Sequence, residues 1–138
     1  MKASAHALWA AGAAIVVVAA VVAGLVLIGP PSQERLRTMD VRRVSDLQAV
    51  ALAVDRYWNR HQALPQSLDA LARERGEVFT VRDPGSGLPY EYHGNADRSY
   101  TLCAAFALGS AGSEPVQGRF WAHGQGRQCF SLEARSGR

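Results

Sequence analysis

The sequence predicts an α+β protein in which an N-terminal transmembrane helix precedes an amphipathic helix packed on a small antiparallel sheet of three to four strands. Three observations predict it. An uncharged apolar stretch covers residues 7–28, an apolar repeat with helical spacing follows, and the second half of the chain has short β-prone segments between turn residues. The predicted boundaries are a membrane anchor over 1–31, an α+β domain over 32–133 and a polar tail over 134–138.

Residues 7–28 are long enough to cross a bilayer once. At about 1.5 Å of rise per residue, a helix over this stretch spans roughly the 30 Å of hydrocarbon. A cleaved signal peptide is the alternative, because Lys2 supplies a positively charged start. Signal peptides have shorter apolar regions of about 7 to 15 residues, and an A-x-A cleavage site is missing after this stretch. We therefore predict a retained anchor.

Two features give opposite predictions for the side of the membrane on which the domain lies. Lys2 alone precedes the apolar stretch, whereas several arginines follow it, which favours a cytoplasmic domain. Cys103 and Cys129 instead favour a disulfide in an oxidising compartment, with two unpaired thiols as the alternative. We predict the disulfide and an extracytoplasmic domain. The arginines are Arg35, Arg37, Arg42 and Arg43.

An amphipathic helix is predicted over about residues 33–61. Its charged face is interpreted as exposed to solvent, and Pro65 follows its end. Ser67 is the predicted N-cap of a short second helix that Gly76 stops. The apolar face of the long helix consists of Val44, Leu47, Ala51, Val54 and Trp58, which recur at steps of three and four residues. Its charged face consists of Arg42, Arg43, Asp46, Asp55, Arg56 and Arg60.

The second half of the chain begins with short strands and tight turns. Residues 78–81 are β-prone and are followed by a dense group of turn formers over 83–87, where Pro presets φ and Gly supplies positive φ. Residues 90–93 then alternate, as a strand does, and a second turn is predicted over 95–97. This order predicts a pair of adjacent antiparallel strands.

The remaining strands are predicted near the C-terminus. Residues 99–107 form a strand that places Tyr100 and two further apolar side chains, Leu102 and Ala104, on one face. A loose loop rich in Gly and Ser follows. Residues 119–123 and 128–132 then make a final hairpin around Gly124-Gln125-Gly126.

The turn and the strand after it carry the motif Asp83-Pro84-Gly85-Ser86-Gly87-Leu88-Pro89-Tyr90-Glu91-Tyr92. Together with the two helices, and with Tyr57 ahead of Leu64-Pro65, this order resembles the type IV pilin-like family, most closely the major pseudopilin of type II secretion systems. The resemblance covers about residues 33–108. Its family-like residues are Asp83, Pro84, Gly87, Pro89, Tyr90 and Tyr92.

The resemblance implies a pilin-like fold and a non-catalytic, extracytoplasmic domain that acts through protein–protein contacts in an envelope or secretion-type assembly. It implies a single pass through a bacterial inner membrane, with the N-terminus cytoplasmic and the domain periplasmic. Two features depart from the family. The Gly-Phe-Thr-Leu-Ile-Glu type of cleavage motif is missing, and Gly29-Pro30-Pro31 interrupts a helix that is continuous in pilins. Both argue against a helical filament of subunits.

No pattern in the sequence predicts catalysis, a metal or a cofactor. The spacing of His61, His93 and His123 with the cysteines fits no zinc pattern, and no C-x-x-C is present. Calcium binding through acidic loops near the C-terminus, which occurs in the family, would have only Asp97 and Glu114 as loop ligands. We therefore predict a protein that is not an enzyme. The alternative is an anchored periplasmic domain that binds a ligand or metal, or a thiol-based enzyme.

Partners are predicted only by class. The net charge of +3 is too small to indicate nucleic acid. Ala20 and Gly24 in the anchor form a small-xxx-small pair, which would let two helices pack closely in a homo-oligomer. The alternative is that these small residues occur only because the span is rich in Ala. Four aromatic residues are interpreted as the contact between helix and sheet, or as a surface that meets a partner protein. They are Tyr57, Trp58, Phe120 and Trp121.

Overall fold

The computed structural model divides the chain into two compact units, Met1–Arg35 and Leu36–Arg138. Predictions that concern Lys2, Gly29-Pro30 and Glu114 lie outside the described residues, as do most of the predicted Gly and Ser loop and the last two residues of the predicted tail. The structure describes residues 5–28, 31–74, 76, 78–95, 97–110 and 119–136.

The first unit contains helix α1, Ala5–Ile28. Its segment Trp9–Val26 is long and apolar enough to cross a membrane, and no residue of that segment is buried within the protein. An apolar segment of this length with no buried residue is more stable in lipid than in water. The predicted apolar N-terminal helix is therefore confirmed, and α1 is a candidate membrane span.

Helix α2, Pro31–His61, confirms the predicted amphipathic helix and begins two residues before the predicted start. Proline suits the first helical position because the amide hydrogen that it lacks would have no partner within the helix. Glu34 lies in the first turn and Arg60 in the last, where their charges oppose the partial charges of the helix ends. Beyond His61, Gln62 adopts a positive φ of 52°, which ends the helix.

Helix α3, Leu68–Ala72, confirms the predicted short helix and its cap. The Ser67 hydroxyl accepts a hydrogen bond of 3.1 Å from the amide of Ala70. The helix ends before the predicted stop at Gly76, because the amides of Arg73 and Glu74 bond to carbonyls only three residues back. These bonds between residues three apart tighten the last turn and end the helix.

Three antiparallel strands form one sheet: β1, Glu91–Gly94; β2, Ser99–Phe106; and β3, Gly126–Glu133. The strand order is β1-β2-β3, so β2 lies in the centre. The central strand matches the prediction for 99–107 to within one residue. The α+β class and a sheet of three strands are confirmed.

Two predicted strands are wrong. Residues 78–81 form no strand in the structure, and the nearest pairing is an isolated bridge between Arg82 and Pro89. Phe79 and Val81 pack against the core, but Val78 is 95% exposed and no described strand pairs with these residues, so their β propensity does not produce a strand. Residues Arg119–Trp121 form a turn of 3-10 helix instead of a hairpin strand, and β3 pairs with β2.

The core lies between the helices of the second unit and one face of the sheet. As predicted, alternate residues of β2 share the buried face: Tyr100, Leu102, Ala104 and Phe106. From α2 come Val44, Leu47, Val50, Ala53 and Val54. Ala134 of the predicted tail is also buried, and its amide donates to the carbonyl of Arg98 at 2.8 Å. The folded domain therefore continues past the end of β3.

Candidate functional site

Three buried charged residues form a network that joins α2 to the turn that begins at Asp83. The guanidinium of Arg43 donates to Oδ1 of Asp40 at 2.7 Å and to Oδ1 of Asp83 at 3.1 Å, with a further bond from Nε to Oδ2 of Asp83. Arg43 is only 7% exposed. The interpretation of Arg43 as part of a solvated face is therefore wrong, because this side chain faces the domain interior.

The two carboxylates of this Asp40–Arg43–Asp83 network also bind backbone amides. Asp40 accepts from the amides of Ala107 at 2.9 Å and Leu108 at 2.8 Å, directly after β2. Asp83 accepts from the amides of residues 85 and 86 at 2.8 and 2.6 Å. Each carboxylate thereby neutralises part of the Arg43 charge and also accepts hydrogen bonds from backbone amides that would otherwise be unpaired.

The charge states of the network follow from these bonds. Hydrogen bonding from Arg43 holds the pKa of Asp83 well below its usual range, although burial acts in the opposite direction. Hydrogen bonding to Asp83 likewise raises the pKa of Arg43. Both groups therefore stay ionised throughout the physiological pH range, which suits a structural role rather than proton transfer.

The family-like motif folds into a tight turn that the network fastens to α2. Within it, the amide of Asp83 donates to the carbonyl of Leu88 and the amide of Gly87 donates to the carbonyl of Asp83, both at 2.8 Å. Gly87 has a φ of +70°, which favours glycine. A Cβ at Gly85 would lie 2.7 Å from Nη2 of Arg43, so a side chain there would displace the guanidinium. In this structure the motif therefore has a structural role, because it forms a turn that is bonded to α2.

The two tyrosines of the motif differ in how their hydroxyls are satisfied. The Tyr90 hydroxyl donates to Asp46 on α2 at 2.8 Å. The Tyr92 hydroxyl is buried and has no hydrogen-bond partner among the described residues. Burial raises the pKa of Tyr92 to about 12, and the neighbouring Tyr57 adds to this effect. Asp46 therefore contacts Tyr90 within the domain, and its predicted place on a solvated face is wrong.

This difference gives a matched pair of variants. We expect Tyr90→Phe to lower the free energy of unfolding by about 2 kcal/mol, because it removes a hydrogen bond to a charged group. We expect Tyr92→Phe to change it by less than about 0.5 kcal/mol or to raise it by up to about 1 kcal/mol, since it removes an unsatisfied buried hydroxyl. Guanidinium unfolding of the full chain in detergent, followed by circular dichroism, measures both. Equal losses in the two variants would contradict the assignment.

The predicted disulfide joins Cys103 and Cys129, with an S–S distance of 2.11 Å. The two residues are direct cross-strand partners in β2 and β3, and their Cα atoms are 4.1 Å apart. Because side chains alternate along β2, this bond lies on the face of the sheet opposite Leu102 and the core. The prediction of a disulfide is confirmed.

An open groove runs between α2 and β3, with a volume of about 870 Å³. Leu52 and Phe120 line it and are 58% and 53% exposed. We call this feature the α2–β3 groove. Its walls are Gln48, Ala51, Leu52, Asp55, Arg98, Tyr100, Phe120, Trp121 and residues 131–136.

The four predicted aromatic contact residues fall into two groups. Trp121 packs on Phe130 of β3 with ring centroids 4.8 Å apart, and Phe120 packs on Trp121 at 5.1 Å. Tyr57 stacks on the His61 ring at 4.2 Å, and Trp58 is a half-buried neighbour of the core. Among the described residues no ring contact joins the two groups. Only Phe120 and Trp121 line the α2–β3 groove.

The histidines and acidic residues gather at no metal site in the part of the chain that the structure describes. His61 lies 3.5 Å from Glu74, and His93 lies 3.9 Å from Glu91. His123 stacks on Phe106 with ring centroids 3.7 Å apart. These three histidines are therefore accounted for by local contacts.

The buried role of Arg43 was missed in the sequence, although a signal for it is present. Arg43 stands four residues before Leu47 and seven before Val50, which places it on the apolar face of α2. A charged residue on that face needs buried counter-charges. Asp40 one turn earlier is the local candidate, but Asp83 lies 40 residues away and has no local signal.

Comparison with known protein families, with curated proteins and with solved structures found no match to this chain. The pilin-like resemblance therefore remains a prediction. Of the family-like residues, Asp83, Gly87 and Tyr90 have structural roles in this domain, which follow from its contacts alone.

Proposed function

We propose that this protein is a non-catalytic, membrane-anchored, pilin-like module that binds an extended segment of a partner protein along β3. The domain lies in the periplasm of a bacterial cell, with α1 as a retained span of the inner membrane. The observation that carries the proposal is the open outer edge of β3 beside the α2–β3 groove. Two features support the placement: an apolar helix long enough to span a bilayer and a disulfide in the domain.

The register of the sheet identifies which backbone groups of β3 face outward. A Cα separation of 4.1 Å between Cys103 and Cys129 is typical of a non-hydrogen-bonded pair. In the same register Ala134 lies opposite Arg98. The hydrogen bond from the Ala134 amide to the Arg98 carbonyl shows that these two residues form a hydrogen-bonded pair. The amides and carbonyls of the odd-numbered residues 127–133 therefore point away from β2. Within the described residues, no strand pairs with this edge.

The groove and the charges on β3 define the chemistry of the segment that fits. On one face of β3, Glu133 is exposed near the end of the strand, and Arg127 is exposed near its start, where it also pairs with Glu91 of β1. On the other face, the exposed side chains of Leu52 and Phe120 border the edge. A complementary strand has apolar side chains at alternate positions towards the groove, and between them a carboxylate opposite Arg127 and a cation opposite Glu133.

A synthetic peptide tests this recognition directly. The heptapeptide Lys-Val-Thr-Val-Thr-Val-Glu, paired antiparallel, places its glutamate opposite Arg127 and its lysine opposite Glu133. We expect the full chain in detergent to bind this peptide at least about tenfold more tightly than a scrambled peptide of the same composition, measured by fluorescence anisotropy. We expect Leu52→Glu to remove that preference by placing a charge in the groove.

Leu88→Glu is the matched control, because Leu88 is equally apolar and exposed but lies in the turn after Asp83. We expect it to bind the peptide as the unmodified chain does. The proposal is contradicted if the scrambled peptide binds equally well, or if Leu52→Glu has no effect. It is also contradicted if sedimentation shows a dimer that Leu52→Glu abolishes, because a second copy would then occupy the groove.

A further inference from the structure

We propose that Cys129 is the site at which an external thiol enters the Cys103–Cys129 disulfide. The thiolate forms a mixed disulfide with Cys129, and Cys103 leaves as a thiolate. This gives the domain a reversible modification site on the face of the sheet opposite the core. The proposal does not rest on the proposed partner, although a segment paired with the outer edge of β3 would cover Cys129.

The two sulfur-bearing residues differ in accessibility. Cys129 is exposed on the edge strand β3, whereas Cys103 on the central strand β2 is only 1% exposed. Thiol–disulfide exchange depends on which sulfur the nucleophile reaches. Access therefore favours attack at Cys129.

The direction of approach gives the same preference. A thiolate attacks one sulfur along the S–S axis, from the side opposite the sulfur that leaves. For Cys129 that side is the outer edge of β3, with which no strand pairs in the described part of the chain. For Cys103 that side faces β1, where Glu91 is its direct cross-strand partner. Glu91 is held there by two bonds from Arg127, at 2.9 and 2.6 Å.

The two sulfurs also differ as leaving groups. Nη2 of Arg127 lies 3.6 Å from Sγ of Cys103, so a guanidinium already stands beside the sulfur that would become anionic. A nearby cation stabilises a thiolate, and a better-stabilised thiolate leaves faster. Arg127 is thus a positioning residue that favours departure of Cys103.

The exchange balances without an oxidant. In the forward step, the incoming thiolate forms one S–S bond with Cys129 while the Cys129–Cys103 bond breaks, and its electron pair remains on Cys103. In the reverse step, the Cys103 thiolate attacks Cys129, expels the incoming thiolate and restores the original disulfide. The reagent is a thiolate, whether of a small molecule or of a protein with an accessible cysteine.

Mass spectrometry locates the modified sulfur. The full oxidised chain in detergent is exposed briefly to glutathione, quenched in acid, alkylated and digested. We expect glutathione on Cys129 and the alkyl group on Cys103, with at least about a tenfold excess over the reverse arrangement. Equal labelling of the two cysteines, or glutathione mainly on Cys103, would overturn the proposal. A second arm with a small protein that carries one exposed thiol distinguishes the sources: reaction with glutathione alone restricts the site to small thiols.

Substitution of Arg127 separates leaving-group stabilisation from simple support of the sheet. We expect Arg127→Gln to slow the formation of the mixed disulfide about tenfold at pH 7, and Arg127→Lys to recover much of the rate. Arg42→Gln, which removes an exposed arginine on α2, is expected to leave the rate unchanged. A residue that only braced the sheet would have the opposite effect, because its loss would speed reduction. Unchanged or faster exchange in Arg127→Gln would therefore refute the role of Arg127.

Discussion

Arg43→Met is expected to lower the free energy of unfolding of the domain by about 3–5 kcal/mol. The variant keeps much of the side-chain volume but removes the buried cation that binds both Asp40 and Asp83. Two carboxylates then remain buried without their counter-charge. The loss of stability on breaking a buried ion pair is larger than the stability that a surface ion pair contributes. Guanidinium unfolding of the full chain in detergent, followed by circular dichroism, measures the loss.

Arg42→Met is the matched control, because Arg42 is the neighbouring arginine of the same helix and is exposed. We expect its effect to stay within about 0.5 kcal/mol, as for most surface substitutions. If the two variants lose the same amount, the Asp40–Arg43–Asp83 network contributes no more than a surface charge, and the assignment of its role is wrong.

The second large effect is expected from the double variant Cys103→Ser with Cys129→Ser. The bridge closes a loop with a sequence separation of 26 residues. In the chain-entropy model, a loop of this length contributes about 3.5 kcal/mol, a large part of the stability of a small domain. The same unfolding measurement compares the variant with the oxidised protein. A loss below about 1 kcal/mol would show that the bridge contributes little.

The state of the same cysteines in cells tests the proposed periplasmic placement. When intact cells are quenched in acid and the protein is then alkylated without a reductant, we expect neither cysteine to be labelled, because the periplasm is oxidising. Labelling of both cysteines would place the domain in a reducing compartment. The stability measurement on purified, oxidised protein would be unaffected by that result, so the two questions are answered separately.

The elements that the sequence predicted correctly are those with local signals. Helix α1 follows from an unbroken apolar stretch, α2 from a repeat at helical spacing, and α3 from the cap at Ser67. The strand β2 follows from alternation that begins at Tyr100. Each of these patterns arises within one element, so its neighbours in space need not be known.

The incorrect predictions concern contacts between distant parts of the chain. Residues 78–81 have the composition of a strand but no partner strand, and composition alone does not supply one. Residues 119–123 and β3 lie on either side of a short glycine-containing turn, yet β3 pairs with β2 because Phe130 completes the core there. Of the proposed binding site, the sequence predicted Phe120 and Trp121 as contact residues. It gave no signal for the groove, because Leu52 reaches that position only through the packing of α2.

The buried network links α2 to parts of the chain that are synthesised much later. Asp83 lies 40 residues after Arg43, and the amides that bind Asp40 lie 67 and 68 residues after it. If the domain is exported as proposed, α2 reaches the far side of the membrane before the groups that neutralise its charges and fill its apolar face. A partly exported chain would then be unable to complete this domain until at least residue 108 had crossed.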